Sequence, residues 1–165
     1  MNWSRTAIIV AVFALLTKCP ANAVCIYKGK MYAKTTLSEE FSDSKWVVRV
    51  EVSAADNHWS DYIGADDPWT IYHLRVLTSF KGEPPATIEL FTYRDSGGFY
   101  LDKGAKANIG GEYLLFLNPA SQDKDVPAAA HSATEINYSC GQSRAWADVN
   151  HAARKELAKM SQWSR

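Results

Sequence analysis

The residues of this 165-residue chain best suited to covalent chemistry are its three cysteines, Cys19, Cys25 and Cys140. A thiol can attack a substrate, bind a metal or be oxidised to a disulfide, and the compartment decides which. The residues before Cys25 speak to the compartment. Arg5 carries a positive charge, Ala7 to Leu16 is an uninterrupted apolar run, and Ala21-Asn22-Ala23 supplies the small-x-small pattern read by signal peptidase. Residues 1–23 therefore read as a signal peptide. Cleavage after Ala23 removes Cys19 and leaves Val24-Cys25 at the start of the mature protein. In an oxidising compartment Cys25 and Cys140 are expected to form a disulfide. The alternative is two free thiols, one acting as nucleophile. The bond would enclose 114 intervening residues, which in the chain-entropy model yields about 4–5 kcal/mol.

The other reactive side chains lack catalytic spacing. His58, His73, His131 and His151 show no His-Glu-x-x-His arrangement. His73 falls within a predicted strand and reads as a structural, hydrogen-bonded residue. Asp56, Asp61, Asp66 and Asp67 gather in one long loop but lack the glycine and glutamate frame of an EF-hand. They read as solvated loop acids. No Gly-x-Ser-x-Gly elbow occurs. Arg49, Arg75 and Arg94, with Glu51 and Glu89, fall on strands or strand ends and read as the outer face of a barrel. No catalytic residue, cofactor or metal site is expected. Trp59, Tyr62 and Trp69 share the acidic loop. Aromatic side chains on a loop carried by a rigid scaffold either contact a partner or fold back over the scaffold, and both readings stay open here.

Composition narrows the partners. Residues 1–23 hold two of the 18 basic side chains and none of the 18 acidic ones, so the mature chain has a formal charge of −2. No cationic surface for nucleic acid is evident. The ten-residue apolar run is short of the roughly 20 residues that span a bilayer, so no membrane partner is expected after cleavage. Residues 24–165 are enough for one domain with a real core.

Hydropathy patterning supplies the elements. Thr36 to Phe41 reads as a short helix capped by Thr36 or Ser38, with Glu39 and Glu40 near its N-terminus. In Trp46 to Val52, Val48, Val50 and Val52 share one face. Ala54 to Trp69 reads as a loop. Further strands are expected at Thr70 to Phe80, Thr87 to Tyr93, Tyr113 to Leu117 and Thr134 to Cys140. Ser96-Gly97-Gly98 breaks the chain, and Pro119 to Ser132 is a polar, alanine-rich excursion. Ala145 to Met160 has helical spacing, with Trp146, Val149, Ala153, Leu157 and Met160 recurring at threes and fours. Asp148 would suit its start. This order predicts a mainly β fold: a five-stranded, closed OB-type barrel with a short N-terminal helix and a C-terminal helix.

Several of these segments together resemble the netrin-like domain, the module shared with tissue inhibitors of metalloproteinases. They are the cysteine at the mature N-terminus, the run Phe41 to Val52, Phe80-Lys81-Gly82, Gly110 to Phe116, and Cys140-Gly141-Gln142-Ser143-Arg144. They span nearly the whole mature chain, and its shortness and few cysteines look most like secreted bacterial members. The resemblance implies an OB-type barrel with a C-terminal helix packed against it. It also implies that the N-terminal segment and two loops share one barrel edge. Inhibitors of the family begin with cysteine itself, whose amino group and carbonyl chelate the protease zinc. Here Val24 precedes Cys25, and Ser96-Gly97-Gly98 stands where inhibitors carry a further cysteine.

The expected protein is an exported, periplasmic or extracellular, non-enzymatic binding module with a protein partner. Its expected contact residues are Val24, Cys25, Trp59, Tyr62, Trp69, Ser96, Gly97 and Gly98. The alternative is a metalloproteinase inhibitor that chelates the protease zinc through its N-terminal cysteine.

Overall fold

The structure, a computed structural model, describes residues 25–58, 68–95, 97–122 and 126–163. A small hairpin of β1 (Ile26–Tyr27) and β2 (Lys30–Met31) precedes helix α1 (Leu37–Asp43). Two 13-residue strands follow, β3 (Trp46–His58) and β4 (Trp69–Lys81), and then β5 (Thr87–Tyr93). A second small hairpin, β6 (Asp102–Lys103) and β7 (Lys106–Ala107), leads to β8 (Glu112–Pro119). The chain ends with β9 (Thr134–Ile136), β10 (Arg144–Ala145) and helix α2 (His151–Trp163).

Five strands close into a barrel. β3 pairs antiparallel with β4 on one side and β8 on the other, and β4 pairs with β5. β9 completes the ring: it runs parallel to β5 through Leu90↔Thr134 and antiparallel to β8 from Leu117↔Ile136 to Pro119↔Thr134. The circular order β8-β3-β4-β5-β9 is mixed, as an OB-type barrel requires. Val48, Val50, Val52, Leu74, Leu90 and Leu115 fill the interior. Strand alternation puts them there. Irregular register at Val47/Val48, Arg49/Val50 and Val52/Ala54 bends β3 so that it serves both neighbours around a tight curve.

A second core lies outside the barrel. Val47, Leu114 and Phe116 point outward from β3 and β8 and meet Leu37 and Phe41 of α1 and Leu157 of α2. Strand β8 is therefore covered on both faces, which explains its unbroken apolar run. Helix α1 starts at a capping box: the Thr36 hydroxyl accepts from the Glu39 N–H, and the Glu39 carboxylate accepts from the Thr36 N–H at 2.7 Å. At its other end the Lys81 ammonium donates to the Phe41 and Ser42 carbonyls at 2.6 and 2.8 Å, partners those C-terminal groups lack within the helix.

Three boundaries differ from the sequence expectation. β3 runs on to His58, with polar Asp56 and Asn57 paired opposite Ile71 and Thr70, so the loop before Trp69 is much shorter than Ala54 to Trp69. The last barrel strand stops at Ile136, and Cys140 lies in a turn closed by the Gly141 N–H on the Tyr138 carbonyl. The C-terminal helix begins at His151, after a 3-10 turn at Trp146–Asp148 and an extended Val149. Its cap is Asn150, whose Oδ1 accepts from the Ala153 N–H at 2.9 Å, in place of Asp148.

Candidate binding cleft

The N-terminal segment is tied to the end of the barrel. A disulfide joins Cys25 to Cys140, with Cα atoms 6.0 Å apart. Non-covalent contacts reinforce it. The Tyr27 and Tyr138 rings lie 5.0 Å apart, and the Tyr138 hydroxyl donates to the Ala33 carbonyl at 3.1 Å. Burial and a hydrogen bond to Asp43 push the Tyr27 phenol up to about 12. Glu40 is wholly buried. Its carboxylate accepts from the Gln142 N–H at 2.8 Å and from the Thr35 hydroxyl. Burial raises its pKa, and these hydrogen bonds only partly offset that. Gly141 is required beside it, because a Cβ there would fall 2.0 Å from Glu40 Oε1.

A cleft opens next to this staple. β5 stays paired with β4 as far as Tyr93, whereas its pairing with β9 is confined to Leu90↔Thr134. Where the two strands part lies a cleft of about 500 Å³. Phe91, Tyr93 and Phe99 contribute rings to its lining, Gly97 and Gly98 line its rim, and Glu135 and Ser139 lie across from them. Burial raises the Glu135 pKa, opposed by a hydrogen bond from the Ser121 backbone. The rim turn is set by Asp95, whose Oδ1 accepts from the Gly97 N–H at 2.8 Å. Gly98 packs so closely that a Cβ would lie 2.3 Å from the Tyr93 carbonyl oxygen.

Just past the end of β5 a polar plug forms around Arg94. Arg94 donates from Nε to the Thr70 hydroxyl at 2.7 Å and from Nη2 to Asn57 Oδ1 and the Tyr72 hydroxyl, both at 3.1 Å. It also forms an ion pair with Asp102, and each of these two side chains is 13% exposed. The Tyr72 hydroxyl donates to Asp102 at 2.6 Å, and burial followed by that bond raises its pKa. Burial is the largest single influence and works against the Arg94 charge, but the bond to Asp102 together with the fields of Tyr72, Asp102 and Tyr100 outweighs it and raises the pKa. Arg94 thus departs from the outer-face reading. Arg75 fits that reading, paired with Glu51 at 2.9 Å on the outside. Arg49 also faces outward, with Glu112 as its partner and its guanidinium 4.7 Å from the Trp146 ring centre.

The expected contact residues separate into three groups. Val24, Trp59, Tyr62 and Ser96 lie outside the described residues. Gly97 and Gly98 line the cleft, whereas Cys25 is buried in its bond to Cys140 and does not line it. Trp69 is half-buried: its ring stacks on His58 at 3.6 Å and 13° and lies 5.9 Å from Phe91. Val126, Ala130 and Ala133 of the long excursion pack over that aromatic face. His73 sits on the outer surface, 2.8 Å from Asp56 and 3.5 Å from Glu89. Among the described residues no three His, Cys, Asp or Glu side chains form a group able to hold a metal ion.

Sequence reasoning missed Glu135 and the Arg94 plug. Arg94 was findable, since it continues the inward phase of Ile88, Leu90 and Thr92. Glu135 carried no local signal.

The fold and cleft define a disulfide-stapled, OB-type barrel with an opening on its wall. No protein-family model and no curated protein sequence matches the chain. Among the described residues no helix is long and apolar enough to cross a membrane.

Proposed function

We propose that the protein is an exported, non-enzymatic binding module of the netrin-like type, and that its partner is a protein. One observation carries the reading. The Gly97-Gly98 turn and the parted ends of β5 and β9 form one cleft, and Ser139, next to the disulfide-bonded Cys140, lines it. Its mixture of aromatic rings, main chain and a carboxylate suits recognition by packing and hydrogen bonding. The turn is held by Asp95, which accepts from the Gly97 and Gly98 N–H groups, so the lining is pre-organised, which lowers the ordering cost of association.

Site-specific photo-crosslinking in the producing cells tests this. A benzoylphenylalanine at Ser121, on the cleft wall, is expected to give one discrete protein adduct. The same group at outward-facing Arg75 is expected to give none. Loss of the Ser121 adduct in the Trp59→Ala variant would add Trp59 to the surface. The absence of an adduct at Ser121, or identical adducts at both positions, would refute the reading.

A further inference from the structure

The β1–β2 hairpin has two apolar faces. Tyr27 and Lys30 are cross-strand partners, and the Tyr27 ring packs inward on Tyr138. Ile26 and Met31 are the other cross-strand pair, so alternation puts them on the face turned away from the body. They are 61% and 66% exposed, and Tyr32 beside them is 54% exposed. Isolated apolar residues on a surface are ordinary, but three large ones within seven residues form a patch. Lys28, Lys30 and Lys34 flank it, and no acidic residue occurs between Cys25 and Ser38. Lys28 pairs with Asp43 at 2.6 Å; Lys30 and Lys34 are both exposed.

The patch is also rigidly presented. Lys28 and Gly29 both have positive φ, 49° and 76°, and make the tight turn that joins the two strands. The Tyr32 N–H donates to the Cys25 carbonyl at 2.7 Å, and Cys25 is fixed by its disulfide. A preformed tip with large apolar side chains pointing outward and lysines around them matches a surface of anionic headgroups over hydrocarbon. The apolar side chains enter the acyl boundary while the ammonium groups meet the headgroups.

We infer that the β1–β2 hairpin is a peripheral docking tip for an anionic lipid surface, with Ile26 and Met31 inserted, Tyr32 at their edge, and the exposed Lys34 and Lys30, the latter on the Tyr27 side of the hairpin, reaching the headgroups at its margin. This contact is independent of the cleft and leaves it open to a partner. The charge complementarity favours lipid over a second copy of the chain, whose identical lysines would repel.

The test is co-sedimentation of the mature, disulfide-bonded protein with vesicles of phosphatidylglycerol and phosphatidylcholine, and with pure phosphatidylcholine vesicles. Binding is expected to the anionic vesicles only and should weaken as salt is added. Neutralising both lysines, as K30Q with K34Q, should lower the partition coefficient about thirtyfold. Replacing the apolar pair, as I26S with M31S, should abolish binding. Because all four side chains are exposed, each variant should keep the parent's circular dichroism spectrum. Equal binding to both vesicle types, or full binding by the I26S and M31S variant, would overturn the inference. So would a concentration-dependent dimer in gel filtration without vesicle binding, since that would assign the patch to a second copy.

Discussion

Removing the Cys25–Cys140 bond gives the sharpest quantitative test of how this fold is held. The perturbation is the double variant C25S/C140S in a chain starting at Val24, which leaves no unpaired thiol to react. The bond spans 115 positions. For a loop of that size the chain-entropy relation gives a loss of about 4.8 kcal/mol, all of it through a freer unfolded state. The native state should change little. Tyr27 on Tyr138, Tyr138 to Ala33 and Glu40 to Gln142 all hold the segment without the sulfurs. Against a total stability of roughly 5–15 kcal/mol, the variant should still fold but with much less in reserve. Urea unfolding followed by tryptophan fluorescence measures this. The midpoint should fall sharply and the slope rise, because the uncrosslinked chain exposes more surface on unfolding. A loss below about 1 kcal/mol with an unchanged slope would refute the reasoning, since a formed bond of this span must restrict the unfolded chain.

Three further outcomes are expected. Leu157→Ala removes a fully buried side chain from the outer core and should cost about 3 kcal/mol in the same urea experiment. Arg94→Met takes away the charge partner of the mostly buried Asp102 and leaves it only the Tyr72 hydroxyl; it should cost about 3 kcal/mol in the urea experiment. Glu40 has a folded pKa above its unfolded value, so the native state holds its proton more tightly. Its contribution to stability therefore falls as pH rises from the ordinary glutamate value to the raised folded value, and is level beyond it. Thermal melts across that window should show the decline in the parent and lose it in E40Q.

How far the sequence could be read depended on whether a feature was local. Val48, Val50 and Val52 alternate, so their strand was plain, and the capping box at Thr36 and Glu39 was legible as a helix start. The far half of β3 was not, because Asp56 and Asn57 are polar and owe their strand geometry to Ile71 and Thr70 opposite them. The helical phase of Trp146 and Val149 was real as packing, since both join Leu157 in one cluster, yet their backbone is not α-helical. The cleft was out of reach. It exists because β5 and β9 part after a single bridge, and no run of residues encodes where two distant strands separate. The hairpin patch was hidden by averaging: a net charge of −2 over residues 24–165 says nothing about three lysines close in sequence to Ile26 and Met31.

Strand β9 is only three residues long, but it touches both β5 and β8 and thereby turns an open sheet into a ring. Synthesis runs from the N-terminus, so β3, β4 and β5 are complete as a meander long before Thr134 exists. During that interval Val50, Leu74 and Leu90 lie on an uncovered sheet face, and once β8 has paired with β3 the free edges are those of β8 and β5. Such edges and faces invite pairing between chains. The nascent protein is therefore most prone to aggregate just before its last quarter emerges. A chain cut at Ala133 would stay in that state, a meander able to form but unable to close.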